Sequence, residues 1–355
     1  MMENNCPILE VIDLSISFKT VSGQLKAIRG VNFSLEAGKT LAIVGESGSG
    51  KSVTVKTALG ILSENEKVES GKILFHHQKE GKTTDILKLS KKQVVSQICG
   101  RRIAMVFQDP MMTLNPTMNI GKQVMEGIIK HQKLTRKEAY GKALELLKKV
   151  GITNSDKRMR SYPHELSGGM RQRVVIAIAM SCNPEILICD EPTTALDVTI
   201  QAKILELIKC IQLEKNIAVI YITHDMGVVA KVADDVAVMY AGKIVEQGTV
   251  EEIFYDPRHP YTRGLLSSIP DIDNPCDKLY SIPGTPPNLL NDIQGDAFAP
   301  RNQYALNIDF QQEPPVFKVS QTHTVASWLY HENAPKIDVY PQLSHRINNM
   351  LALSI

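Results

Sequence analysis

Between positions 45 and 52 the chain reads Gly45-Glu46-Ser47-Gly48-Ser49-Gly50-Lys51-Ser52. These residue types at this spacing suit the holding of a polyphosphate. Gly45, Gly48 and Gly50 let the backbone turn successive N–H groups, those of Glu46, Ser47 and Ser49 among them, inward around phosphate oxygens. A helix that starts at Lys51 aims its positive end at the same point. Lys51 adds a cation for the outer phosphates, and the Ser52 hydroxyl is placed to ligate Mg²⁺.

A carboxylate pair complements the loop. Asp190 ends the apolar run Ile186–Cys189, where a buried carboxylate is costly unless it meets a metal or hydrogen-bond donors. A hold on Mg²⁺ supplies that reason, and Glu191, one step on, is the candidate to polarise an attacking water. Alone, Asp-Glu-Pro would read as a surface turn; beside a phosphate loop it reads as hydrolytic. Gln108, after the apolar run Ile103–Phe107, is placed to reach both metal and water. Ser167, Gly168 and Gly169 open a helical pattern through Val174, Ile176 and Ala179. They form a second cradle of N–H groups, since a plain helix cap would need one glycine at most.

The elements that must carry these residues are legible as patterns. Leu9–Phe18 and Val31–Leu35 read as strands, and Thr40–Val44 as a buried strand running straight into the glycine loop. A helix follows through Val53, Val55, Ala58, Leu59 and Ile61. Ile186–Cys189, Ala218–Thr223 and Val236–Tyr240 are further buried strands separated by helices, as in a largely parallel sheet. Lys243–Gly248 reads as a hairpin partner. From about residue 115 to 165 the period is helical and lysine-rich, as for a helical subdomain inserted in an α/β core. Beyond Asp256, prolines at 257, 260, 270, 275, 283, 286, 287, 300, 314 and 315 predict a turn-rich extension without long helices.

Bulk properties narrow the class. The chain has 355 residues, 43% hydrophobic and 22% charged, values usual for a globular protein. Its 40 basic and 38 acidic residues leave a net charge of +2, which gives no reason to expect nucleic acid as a partner. No apolar run approaches the roughly 20 residues that span a bilayer. Met1-Met2-Glu3-Asn4-Asn5 lacks the charged and apolar regions of a signal peptide. Cys6, Cys99, Cys182, Cys189, Cys210 and Cys276 lack metal-ligand spacing. Buried, reduced thiols in a cytosolic chain are the expectation.

In order and wording, these segments resemble the ATP-binding subunits of ABC transporters over roughly residues 8–255. The resemblance implies an α/β fold: a P-loop NTPase core of ABC type with an antiparallel β edge, the inserted helical subdomain and an irregular C-terminal extension. Residues 1–255 would form the ATP-binding domain and 256–355 the extension. By the same likeness Leu166-Ser167-Gly168-Gly169-Met170 serves the ATP held by a partner chain, and Asp197 of Ala195-Leu196-Asp197 crosses that seam. Gln108 matches the glutamine that contacts metal and water, His224 the histidine at the γ-phosphate, and Phe18 the aromatic that stacks on adenine. Asp109–Pro116 corresponds to a groove that receives a short helix of the membrane subunit.

The extension narrows the resemblance. His259-Pro260-Tyr261-Thr262-Arg263-Gly264-Leu265-Leu266 and Ile282-Pro283-Gly284-Thr285-Pro286-Pro287-Asn288-Leu289 are similar to the C-terminal region of oligopeptide and dipeptide importer ATPases, the D-type subunits above all. Implied are ATP and Mg²⁺ as ligands and a second, related ATPase subunit as partner in a heterodimer. Two transmembrane permease subunits and a separate extracytoplasmic peptide-binding protein complete the set, which places the chain peripherally on the cytoplasmic face of the cell membrane. Many such relatives carry four cysteines that hold an iron–sulfur cluster. Here those positions are Asp296, Asn302, Asp309 and Ser327, poor substitutes for thiolates, so no cluster is expected. Oligopeptides are the expected cargo, with dipeptides, nickel or another small solute as alternatives. A soluble ABC ATPase acting on DNA or the ribosome, or an ATP-sensing regulator, is the rival class. Against these stand the single ATPase unit, the near-neutral charge, and the presence of both Glu191 and His224.

Overall fold

A computed structural model describes residues 7–78, 80–194, 196–269 and 280–336, together with Leu343 and Ile347. Cys6, Cys276, Ala195, Pro270, Pro275 and the Met1–Asn5 segment lie outside the described residues. Alternating apolar residues build two long strands, β1 (Pro7–Thr20) and β2 (Gly23–Glu36), joined by a tight turn. Leu9, Val11, Leu14 and Ile16 of β1 are buried. The change of parity between Val11 and Leu14 is absorbed by a bulge in the pairing with β2, where Asp13 takes a φ of 46°. With β4 (Glu66–His77) and β5 (Lys82–Asp85) these strands form an antiparallel sheet in the order β2-β1-β4-β5.

The second sheet holds the chemistry. It contains β3 (Thr40–Val44), β6 (Ile103–Val106), β7 (Ile186–Asp190), β8 (Ala218–Thr223), β9 (Asp235–Tyr240), β10 (Lys243–Thr249), β11 (Val316–Lys318) and β12 (Thr324–Ala326). Their spatial order is β11-β12-β10-β9-β3-β8-β7-β6. The five strands from β9 to β6 pair in parallel. Every residue of β3, β7 and β8 is buried, as strands covered on both faces require. Parallel pairing brings the C-terminal ends of β3, β7 and β8 together, and a ligand site at that edge follows from the topology.

Helices α1 (Lys51–Ala58), α2 (Lys91–Gln93) and α3 (Pro110–Thr113) precede the helical insertion. The insertion holds α4 (Ile120–Gln132), α5 (Arg136–Lys149) and α6 (Ser155–Arg158). Asn119 caps α4, and Thr135 with Glu138 forms a capping box at α5. The buried stripe of Val124 and Ile128 meets Ala139, Ala143 and Leu147, and both pack on Val174 and Ile176 of α7 (Gly168–Met180). Helices α8 (Val198–Lys215), α9 (Met226–Val232), α10 (Val250–Tyr255) and α11 (Pro260–Ser267) complete the set. Cys189 is buried, Cys99 and Cys182 are half-buried, and Cys210 is exposed on α8; all four are free thiols. Among the described cysteines, full burial holds for Cys189 alone. Cys182 lies just beyond α7, and its Sγ donates to the Gly127 carbonyl at 3.4 Å.

Within the turn-rich extension the chain adds order that its composition did not signal. Pro260 stands in the first turn of α11, where its missing N–H costs nothing. Strands β11 and β12 continue the main sheet beyond β10. The described residues of the extension share a core with the main sheet: Tyr261, Leu266, Ala297 and Phe298 pack with Ala42, Val44, Val236, Val238 and Tyr240. Tyr240, Tyr261 and Phe298 form an aromatic triangle with centroids 4.7, 5.2 and 5.4 Å apart. Replacing fully buried Phe298 by Ala is expected to cost about 3–5 kcal/mol, read as a shift of one cooperative denaturant transition.

Asp296 lies beside this triangle. Burial pushes its carboxyl up to about 6, helped by Asp309 and Glu313 and opposed by the Phe298 N–H and Arg29. The folded chain therefore keeps a proton that the unfolded chain releases between pH about 4 and 6. Stability falls as pH rises through that window and stays lower above it. Asp296→Asn should gain up to about 3 kcal/mol at pH 7 and almost nothing below pH about 4, measured by denaturation at both pH values.

Candidate active site

The phosphate loop leaves the buried end of β3 and enters α1 at Lys51. Gly45 and Gly50 have φ of 148° and 102°, and a side chain there would strike the Met239 carbonyl or Ile28 and the Ala27 carbonyl. Lys51 is only 6% exposed, and its Nζ donates to the carbonyls of Gly45 at 2.7 Å and Glu46 at 2.8 Å. Burial lowers its pKa, while Glu191, Asp190 and Glu46 work against that. The loop thus places an ammonium at its mouth, and nothing lies within contact distance of a side chain built on Gly48.

Ser52 Oγ donates to Asp190 Oδ1 at 2.9 Å. Burial raises the Asp190 pKa, against the pull of Ser52, Lys56 and Lys51. A hydroxyl and a carboxylate so paired offer hard oxygen donors of the kind Mg²⁺ takes beside phosphates. The donor set fits the ion.

Glu191 collects three side chains. Its Oε2 accepts Gln108 Nε2 at 3.0 Å and Thr194 Oγ1 at 3.0 Å, and its Oε1 lies 3.0 Å from His224 Nδ1. Gln108 follows β6, Glu191 follows β7 and His224 follows β8, so the parallel register alone assembles them. Glu191 holds a φ of 46°, uncommon for a glutamate, and its N–H donates to the Ile222 carbonyl. Thr194 had no role in the sequence reading; a threonine three residues after a glutamate carries no signal of its own.

Ser167 caps α7, its Oγ accepting the Met170 N–H at 3.4 Å. Ser167 and Gly168 are exposed, whereas Gly169 is buried against Ile200. Asp197 caps α8 through the Ile200 N–H. These two segments therefore adjoin each other. Among the described residues no hydrogen bond or ion pair links Ser167, Gly168 or Gly169 to the phosphate loop. Phe18 sits at the end of β1 opposite Leu25 and is half-buried against the core that includes Ile28 and Val53. Met111 and Met112 of α3 are exposed, and Arg171 Nη1 reaches Met111 Sδ at 2.7 Å.

Unanticipated residues brace the loop from the extension. Arg301 makes a bidentate pair with Glu46, at 2.7 and 3.0 Å, and Tyr261 Oη accepts the Glu46 N–H at 2.8 Å. Nothing in a lone arginine of a proline-rich stretch marks it as a neighbour of residue 46. The cluster positions can be tested directly. Asp296 accepts the Phe298 N–H, Asn302 that of Tyr304, Asp309 that of Leu306 and Ser327 that of Leu329. Each of these side chains accepts a hydrogen bond from nearby backbone, and none is a thiolate. This donor set does not fit an iron–sulfur cluster.

The family profile described as ABC transporter matches residues 28–194, and that of the oligopeptide/dipeptide transporter C-terminal region matches residues 245–308. The chain is 58% identical to the oligopeptide transport ATP-binding protein OppD of Bacillus subtilis, over 93% of this chain and 91% of the relative. It is 55% identical to the dipeptide transport ATP-binding protein DppD of Lactococcus lactis, over 93% of each. Among solved structures it resembles a dimeric ATP-binding cassette in a post-hydrolysis state bound to ADP and Pi. The TM-score is 0.60 and the identity 25%, covering 68% of this chain and 98% of the other. It also resembles cbiO1 of Clostridium perfringens, part of an ABC transporter complex, with TM-score 0.59 and 32% identity over 70% of this chain and 91% of that one. A phosphate loop, a carboxylate cluster at parallel strand ends and a matching extension agree: this chain belongs to the ABC transporter family, among the oligopeptide and dipeptide transport ATP-binding proteins.

Proposed function

We propose that this chain is the ATP-hydrolysing subunit of an importer that carries oligopeptides across the cytoplasmic membrane. The observation that carries the reading is Glu191, held by Gln108, Thr194 and His224 at the strand ends beside the phosphate loop. The N–H groups of residues 45–50 and the ammonium of Lys51 take the phosphates. Phe18 stacks on the adenine. Mg²⁺, when held by Ser52, Asp190 and Gln108, neutralises phosphate charge. Glu191 orients and polarises the attacking water, and His224, 3.0 Å from that carboxylate, holds the outer phosphate. Both carboxylate oxygens are already oriented, which reduces the reorganisation the reaction needs.

Ser167, Gly168, Gly169 and Asp197 stand apart from this group and serve the ATP of a second, related ATPase subunit. A dimer with two shared sites follows, in keeping with the dimeric cassette that this chain resembles. No helix among the described residues is long and apolar enough to cross a membrane. Attachment to the cytoplasmic face therefore runs through two permease subunits, with exposed Met111 and Met112 in the receiving groove and a separate binding protein delivering the peptide. Residues 1–255 form the ATP-binding unit, with its helical insertion at about 115–165, and residues 256–355 the importer-type extension, without an iron–sulfur cluster. Dipeptides are the second reading for the cargo, favoured by 55% identity to a dipeptide transport protein.

Glu191→Gln keeps the shape and removes the charge. It should bind MgATP with affinity near that of the parent, lower kcat by about 10²–10⁴-fold and accumulate an ATP-bound dimer in size-exclusion chromatography. Undiminished turnover by this variant would remove Glu191 from the mechanism.

A further inference from the structure

Two stretches of the extension, distant in sequence, meet one residue of the phosphate loop, and a third braces one of them. Arg301 Nη1 and Nη2 donate to the two carboxylate oxygens of Glu46. Tyr261 Oη takes the Glu46 N–H, and the Pro283 carbonyl takes Arg301 Nε at 2.8 Å. Tyr240 Oη, on the main sheet, accepts Arg301 Nη1 at 3.2 Å. Arg301 is 6% exposed, and its guanidinium carbon lies 5.7 and 6.0 Å from the ring centroids of Tyr240 and Phe298. It is fixed on all sides.

The position of Glu46 makes this arrangement unusual. Its own carbonyl and that of Gly45 hold Lys51 Nζ, so its side chain departs from the middle of the cradle. A free carboxylate there would repel the phosphates that the cradle must admit, and in a half-buried setting the repulsion is poorly screened. A bidentate, always-charged partner cancels it. We infer that Arg301 is a positioning residue for ATP, neutralising Glu46 and, with Tyr261, holding the phosphate loop in its binding shape. The extension thereby sets nucleotide affinity: a chain whose extension is undocked carries an extra negative charge at its ATP site. The inference rests on the reading of residues 45–52 as an ATP cradle.

A double-mutant cycle on the full-length chain tests it, with MgATP affinity measured by displacement of a fluorescent ATP analogue at low and high salt. Arg301→Gln should weaken MgATP about tenfold at low salt and less at high salt, the loss falling on KM more than on kcat. Glu46→Gln alone should tighten binding, and the double variant should recover most of the loss, because the repelling charge is gone. Arg301→Lys, which keeps the charge without the fork, should bind better than Arg301→Gln and serves if the latter does not fold. A double variant as weak as Arg301→Gln, or a loss that ignores salt, would reduce Arg301 to a structural brace and overturn the inference. Lys51→Ala is the control for the underlying reading. If it binds MgATP as well as the parent, the cradle assignment fails; if it loses binding while the cycle shows no coupling, only the role of Arg301 fails.

Discussion

The site depends on an ammonium that is buried yet has no carboxylate of its own. Lys51 is coordinated by the neutral carbonyls of Gly45 and Glu46. Three carboxylates lie near enough to influence it: Glu191, Asp190 and Glu46. Each is turned elsewhere, Asp190 to Ser52, Glu191 to Gln108, Thr194 and His224, and Glu46 to Arg301. A direct ion pair with any of them would satisfy the cation and blunt its attraction for an incoming anion. Assigning every nearby carboxylate another partner leaves the lysine partly desolvated and without a competing ion pair, the condition under which a buried cation attracts phosphate most strongly.

That division of partners is a consequence of topology. The ends of β3, β7 and β8 bring the loop, Asp190–Glu191 and His224 to one edge, and β6 adds Gln108. Close packing beneath them prevents relaxation: Ile43, Ile188 and Ile220 are wholly buried in one core, and Val44 joins another with Tyr261 and Phe298. The second cradle at Ser167–Gly169 sits on α7, tied to the helical insertion by its own core. One layer thus contains the phosphate loop with Gln108, Asp190, Glu191 and His224, and a separate helical layer carries Ser167–Gly169.

Much of this was legible from local pattern. Thr40–Val44 followed by a glycine loop, and apolar runs ending in Gln108, Asp190 and His224, are signals written in adjacent residues, and each is found at the end of a buried strand. Residues acting through contacts of large sequence separation left no such mark. Arg301 meets Glu46 across 255 positions and Tyr261 meets it across 215. No periodicity encodes such a pairing. The extension shows the same limit from the other side: between Asp256 and Lys336 its longest helix among the described residues is α11, eight residues, yet β11 and β12, three residues each, are too short to announce themselves.

The annexed strands also have a consequence for how the chain is made. Strand β10 is an interior strand only because β12 pairs beside it, and β12 is synthesised roughly 75 residues later. At about 5–20 residues per second, a nascent chain spends several seconds with β3 and β6 to β10 synthesised and that flank open. During this interval the apolar face around Val236, Val238 and Tyr240 also awaits Phe298. A ribosome-bound intermediate therefore presents an unpaired strand edge next to exposed hydrophobic surface, the combination that invites mispairing between neighbouring chains on one message.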